Sequence, residues 1–173
     1  RMQRTDESIS LLRNVIEEGR GGLAAHAAIV RAHLANGEVE SARSYLDGLL
    51  SETDDIDTGL NFLNAALLAV EGEYDQARKI YRDILEETPE SEIVWRALIA
   101  TALREGGPAA QDEAAELVSE ALSNLPGSPT LLWMQASMYQ QANNFDRAIQ
   151  IYEEMYDDDS SLTIGATHLA RLL

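Results

Sequence analysis

Apolar residues recur three and four positions apart along nearly the whole chain, in short runs separated by turn-forming residues, which is the pattern of successive amphipathic helices. The stretch EGEYDQARKIYRDILEETPE, Glu71 to Glu90, sets the theme. Its Gly72, Tyr74, Ala77, Tyr81 and Pro89 return, with substitutions, at a spacing of 34 to 37 residues, a period that marks repeated supersecondary units. Each unit reads as two helices joined by a tight reversal. At the end of each first helix stand Gly37, Gly72, Gly106 and Asn143, residues that tolerate the left-handed conformation such a reversal requires, so positive φ is expected at all four. Ala42, Ala77, Ala114 and Ala148 recur where two helices must approach closely and a larger side chain would force the axes apart. Pro89 and Pro126 close second helices, and at the equivalent positions Asp54 and Ser160 the proline is missing.

The opening piece, TDESISLLRNVIEEGRGG, places Ile9, Leu12, Val15 and Ile16 on one face and ends in glycines; with Ser8 and Leu12 in the slots of Ala77 and Tyr81, residues 1–22 read as a second helix without its first. Full units are expected at 23–56, 57–91, 92–128 and 129–162, and a last first-type helix at 163–173. The third unit is longer by three residues, and the excess falls in REGGPAAQDEA, where Gly106, Gly107 and Pro108 mark a loop between its two helices. One register stays open. Counting back from Gly72 puts Asn61 and Asn64 on the core face of TGLNFLNAALLAVE, whereas a rotation by one residue buries Leu60, Leu63 and Leu67.

These slots, together with Trp95 and Leu98 in a first helix and Tyr139 later in another, resemble the tetratricopeptide repeat (TPR) over nearly the whole chain. The resemblance implies an all-α fold, a right-handed α-solenoid of antiparallel helix pairs, with four full repeats and flanking half-repeats. It also implies that the first-type helices line a concave groove. Helical spacing from the core residues then places Ala27, Arg31, Phe62, Arg96, Ala100, Trp133, Ser137 and Arg171 on that inner face, with Arg104 among its arginines and Asn61 replacing Phe62 if the register is rotated.

Charge sharpens this picture. The chain carries a formal charge of −17, which argues against nucleic acid or an anionic membrane surface as partner, since the phosphate attraction would have the wrong sign. The first-type helices hold Arg31, Arg96, Arg104 and Arg171 against Glu71, Glu92 and Glu105. A nearly neutral face bearing arginines is therefore expected within an acidic shell. An exposed Trp beside Arg is the residue set that binding hot spots favour; the alternative reading has Trp133 packed on a neighbouring helix.

Candidate chemistry is sparse. The chain has no cysteine, so neither disulfides nor thiolate sites arise. Gly21 and Gly22 follow a helix and lack the spacing of a phosphate loop. His26 and His33 share a helical face, but the sequence places no third ligand near them, so they read as packed, hydrogen-bonded histidines. The acidic stretches TDDIDTG (Thr53 to Gly59) and YDDDSS (Tyr156 to Ser161) resemble calcium loops only superficially and read as helix caps. No catalytic residue, metal site or cofactor is expected, and the chain reads as a binding protein and not an enzyme. No apolar run approaches the roughly 20 residues that span a bilayer. The chain begins at Arg1 and stops within a helical pattern at Leu173, so it is expected to be a soluble piece of something longer, of open compartment.

The function expected is a protein-interaction scaffold that holds a peptide or helix of a partner in the groove, the partner presenting an acidic or C-terminal carboxylate group. Two other readings stand beside it: a segment that positions substrate for a larger enzyme or envelope-assembly complex, and a structural solenoid that self-associates through its open ends. A chaperone-tail receptor is disfavoured. The Lys and Asn clamp of such proteins would fall on Ala27, Arg31, Leu63, Ile93 and Ala97, or on Phe62, Ala66, Ala97, Thr130 and Met134.

Overall fold

The computed structural model describes residues 2–52 and 57–158, and among them the regular elements are all α-helices. In chain order these are α1 (Met2–Glu17), α2 (Gly22–Ala35), α3 (Val39–Glu52), α4 (Thr58–Glu71), α5 (Tyr74–Glu87), α6 (Glu92–Glu105), α7 (Pro108–Asn124), α8 (Pro129–Gln141) and α9 (Phe145–Asp158). Arg171, the helix expected from Thr163 onward, and the positions Asp54 and Ser160 lie outside the described residues. The chain forms two compact units, Arg1–Ile84 and Leu85–Leu173.

All four reversal positions have positive φ: Gly37 79°, Gly72 90°, Gly106 82° and Asn143 58°. At Gly72 the left-handed backbone lets the N–H groups of Gly72 and Glu73 fold back onto the Leu68 carbonyl, so that α4 ends and α5 begins within two residues. Asn143 does the same work between α8 and α9, where the Asn144 N–H reaches the Tyr139 carbonyl at 2.8 Å. The four alanine slots Ala42, Ala77, Ala114 and Ala148 have no exposed surface, and neither do Leu46, Val118 and Tyr152, each four residues on. Tyr81, four residues after Ala77, is 2% exposed. The small residue admits the neighbouring helix and the large one fills the space beside it.

In the first unit α2 packs between α1 and α3, and α3 packs on α4. Ala27, Val30, Ala42, Leu46, Leu60, Leu63 and Leu67 form one buried cluster, with Leu34, Tyr45 and Leu49 packed against it. The register of α4 is thus the rotated one, with Leu60, Leu63 and Leu67 inside. Asn64 is half-buried and accepts a hydrogen bond from Arg43 Nη1 at 2.7 Å. The same guanidinium grips the Glu71 carboxylate through Nε and Nη2, joining α3 to α4 and holding the Arg43 proton more tightly than usual. Asp57 caps α4, its Oδ1 accepting from the N–H groups of Gly59 and Leu60 at 2.8 and 3.0 Å.

In the second unit α7 packs against both α6 and α8, and α9 packs on α8. Trp95 is 2% exposed, with its indole N–H donating to the Pro89 carbonyl at 2.8 Å, and Leu98 has no exposed surface. Ala136, Ala148, Ile151, Tyr152 and Met155 form the α8–α9 core, with Leu132 and Tyr139 against it. Ser128 caps α8 by accepting from the Leu131 N–H and donates to the Glu92 carboxylate at 2.8 Å, which ties the starts of α8 and α6 together. The expected loop is formed by Gly106 and Gly107, and Pro108 already belongs to α7. Only Gly106 and Gly107 separate α6 from α7, and α7 has 17 residues where α3, α5 and α9 have 14, so the three extra residues extend the helix. The reason is local: a proline at a helix start lacks only an N–H that would have no partner there, and the alanines after it favour helix.

The histidines of α2 are held by hydrogen bonds within the first unit. His26 Nδ1 shares one with the Tyr45 hydroxyl at 2.8 Å, and His33 Nδ1 shares one with Glu38 Oε2 at 2.8 Å. Asn36 Nδ2 donates to the other Glu38 oxygen at 3.1 Å. The hydrogen bond from His33, and after it that from Asn36, lowers the Glu38 pKa below its ordinary value of 4.5.

Two expected outcomes follow from this geometry. A residue with a β-carbon at the left-handed position after α8 costs about 1 kcal/mol relative to glycine, so Asn143→Ala should lower the urea midpoint while Asn143→Gly leaves it unchanged or raises it. For Glu38, a folded-state pKa below the unfolded one means that its contribution is present above the ordinary carboxylate range and is lost as pH falls through the lowered value. Thermal melts of Glu38→Gln should accordingly lose part of the decline in stability that the parent chain shows on acidification below about pH 5.

Candidate functional site

Of the residues expected on the inner face, those of α6 are brought together most clearly. Arg96, Ala100 and Arg104 follow one another at four-residue intervals and are all exposed, and Ile93, one turn before Arg96, is 63% exposed. This gives α6 an open stripe with an apolar residue at its start and a guanidinium on either side of a small residue. On α8, Trp133 is 38% exposed and Ser137, one turn on, is half-buried. Arg31 is exposed on α2 of the first unit.

Two expected members do not belong to an open surface. Ala27 is 8% exposed and is part of the buried cluster between α2, α3 and α4. Phe62 is half-buried because its ring lies against Tyr81, with centroids 5.6 Å apart and planes tilted by 59°, as the rotated register of α4 requires. Asn61, the alternative at that place, is half-buried too. Ile93 was not singled out as a candidate. Its signal is only its three-residue spacing from Arg96, and an exposed isoleucine cannot be told from a core one by spacing alone.

The pairing of charges separates these arginines from those of α3, α5 and α9. Among the described residues, none of Arg31, Arg96 and Arg104 has an ion-pair or hydrogen-bond partner for its side chain. On α3, α5 and α9 arginines are engaged, Arg43 with Glu71 and Asp47, Arg78 with Asp75, and Arg147 with Gln150, whereas Arg13 on α1 has no such partner among the described residues. The carboxylates of the first-type helices are themselves occupied, Glu71 by Arg43 and Glu92 by Ser128, and Glu105 is also in contact with a partner. Three arginines and three glutamates leave the described parts of α2, α4, α6 and α8 without net charge. The glutamates are committed within the fold and the arginines are not.

Five of the seven large hydrophobic residues exposed among those described, Leu23, Val70, Ile93, Leu103 and Trp133, lie on first-type helices, against Leu11 on α1 and Phe145 on α9. Exposed large apolar groups are thus concentrated on the same set of helices that carries the unengaged Arg31, Arg96 and Arg104. No group of three or more histidine, aspartate or glutamate side chains among the described residues is placed to hold a metal ion. No helix among them is long and apolar enough to cross a membrane.

Comparison with known proteins agrees with the helix-pair architecture. Three family models, each described as tetratricopeptide repeat, match residues 1–60, 65–101 and 112–162. No curated protein matches the chain by sequence. Among solved structures, a thermophilic TPR protein of Thermus thermophilus is similar with a TM-score of 0.65 at 17% identity, over 99% of this chain and 91% of that one. YrrB, a TPR protein with an unusual peptide-binding site, is similar with a TM-score of 0.58 at 12% identity, over 99% of this chain and 86% of its own. PilF of Pseudomonas aeruginosa gives 0.59 at 17% identity, over 90% and 76%. With buried alanines where helices meet, left-handed residues at the four reversals and three matching family models in succession, the chain belongs to the tetratricopeptide repeat family.

Proposed function

We propose that this chain is a protein-interaction module without chemistry of its own, and that it holds an acidic peptide or helix of a partner against the exposed faces of its first-type helices. The division into repeats at 23–56, 57–91, 92–128 and 129–162 is part of this reading. The observation that carries it is the unpaired state of Arg96 and Arg104, among the described residues, on the stripe of α6 that begins with Ile93. In a chain of net charge −17, arginines left without a carboxylate are available to a carboxylate from outside. Two guanidiniums two turns apart can each take a carboxylate in a bidentate pair, while Ile93 offers an apolar contact. Trp133 on α8 has the size and partial exposure of a hot-spot anchor. The partner on this reading carries an aspartate, glutamate or C-terminal carboxylate next to an apolar side chain.

The acidic surroundings favour the same orientation of charge. The second-type helices α3, α5, α7 and α9 each carry more carboxylates than cations, so an acidic ligand is repelled except where the arginines stand, and its approach is steered to them. That YrrB, which shares the fold, has a peptide-binding site is consistent with this use of it. Exposed Leu11 on α1, 66% accessible, is the one observation that favours self-association as well.

A short peptide of alternating glutamate and leucine with a free C-terminus tests the proposal. It should bind the full chain, and Arg96→Ala together with Arg104→Ala should weaken it about thirtyfold, because each of the two lost charge-assisted pairs in a partly dry site is worth on the order of 1 kcal/mol. Binding should also weaken as salt is raised. Glu86→Ala on the second-type helix α5 serves as a control for a charge removed outside the stripe. Affinity unchanged in the arginine double variant would remove the proposal.

A further inference from the structure

We infer a second peptide site in the second unit, a groove that takes an extended, basic segment of a partner protein, formed by α7 and α8 on the side of α8 away from Trp133. A depression of about 400 Å³ opens there between the end of α6, the stretch Gln111 to Ser119 of α7 and the last half of α8, within the size range of ligand-binding clefts. On α8 it uses Gln135, Met138 and Ala142, spaced three and four apart, which helical geometry places on nearly the opposite side from Trp133 and Ser137. A second depression, of about 310 Å³, shares Gln135 and Tyr139 with the first and continues to Arg147, Gln150 and Glu154 of α9. The two adjoin at Gln135 and Tyr139 of α8, one toward α7 and the other toward α9, and are taken together as one channel.

Its chemistry is that of a backbone reader. Leu103, Ala115, Met138 and Tyr139 supply an apolar floor. Gln111, Gln135 and Gln141 reach it from two helices, and among the described residues none of their carboxamides has a hydrogen-bond partner. Gln76 and Gln150, by contrast, are paired with neighbours on their own helices. A carboxamide presents both donor and acceptor, which matches the alternating N–H and C=O groups of an extended chain; a helix has already satisfied its own. Extended backbone is therefore the form of ligand that three open carboxamides can pair with.

Charge selects which segment. Asp112 stands at one end of the channel with no partner among the described residues, on a helix that carries Asp112, Glu113, Glu116 and Glu120 and no basic residue. At the other end Arg147 is turned onto Gln150 at 2.9 Å and Gln150 in turn onto Glu154 at 3.0 Å, so that cation is already engaged. A lysine or arginine of the ligand fits the Asp112 end and an apolar side chain fits the floor at Met138. The site is thus of opposite sign to the arginine stripe of α6, and it stands whether or not that stripe binds an acidic partner.

The experiment is a titration of the full chain with a capped short peptide of alternating lysine and leucine, with amide resonances followed by NMR. Perturbations should concentrate on α7 and α8, and Ala115→Trp, which fills the floor at an exposed position without changing charge, should weaken binding by about tenfold or more. Ser119→Trp, one turn along the same wall, should act alike and decides the matter if the first variant does not fold. Arg96→Ala with Arg104→Ala should leave this peptide's affinity unchanged, which separates the two sites. Absence of binding, wild-type affinity in the folded tryptophan variants, or perturbations spread equally over α1, α3 and α5 would overturn the proposal, the last because it would be attraction to the acidic surface alone.

Discussion

Everything in this fold depends on how closely two helices can approach where each second helix crosses its neighbours. At Ala42, Ala77, Ala114 and Ala148 no surface remains accessible, so there is no room for even one more methylene without moving a helix axis. The close approach brings the residue four positions on, Leu46, Tyr81, Val118 or Tyr152, fully into the interior, and the burial of such a side chain is worth about 1.5–3 kcal/mol. The two helices of each pair are joined by only two or three residues, and a reversal that short calls for φ > 0 at Gly37, Gly72, Gly106 and Asn143.

The same packing distributes the charges. Second-type helices bury one stripe of small and large apolar residues and leave wide polar faces, and most of the carboxylates stand there. First-type helices are apolar on more of their circumference, and the few charges they keep fall at their ends or on one exposed line. Their glutamates are drawn into the structure: Glu71 joins α4 to α3 through Arg43, and Glu92 joins the start of α6 to Ser128. What is left on α6 is a pair of arginines with no internal duty among the described residues. A stable fold would be served as well by lysine, glutamine or serine at those exposed positions, which is why the binding reading draws on them.

The two surfaces proposed for ligands in the second unit contrast in chemistry. The α6 stripe has guanidiniums and an exposed isoleucine, suited to carboxylates. The channel over α8 has carboxamides, Asp112 and a floor of Met138 and Tyr139, suited to a polar backbone with a cation. The extension of α7 by three residues contributes to the latter, since its first turns carry Gln111, Asp112 and Ala115 into the wall.

Sequence alone determined the elements and their order. A period of 34 to 37 residues, with Gly or Asn at each reversal and Ala at each crossing, specifies helix pairs because those slots answer to backbone conformation and to the contact distance between neighbouring helices, both of which a single residue type can satisfy. It also showed that Arg31, Arg96 and Arg104 stand on first-type helices. Only the tertiary structure decided the register of α4, because Asn64 could be placed at a half-buried position once Arg43, twenty-one residues away, supplied its hydrogen bond. It alone placed Phe62 on Tyr81 and Ala27 in the core, since a small or aromatic residue at a boundary position is turned inward or outward by what its neighbour leaves open. It placed Pro108 and the three extra residues of the third unit in α7. The channel over α8 left no mark in the sequence, because glutamines one helix apart converge only through the angle at which α7 and α8 meet, and that angle is set by side-chain packing summed over both helices.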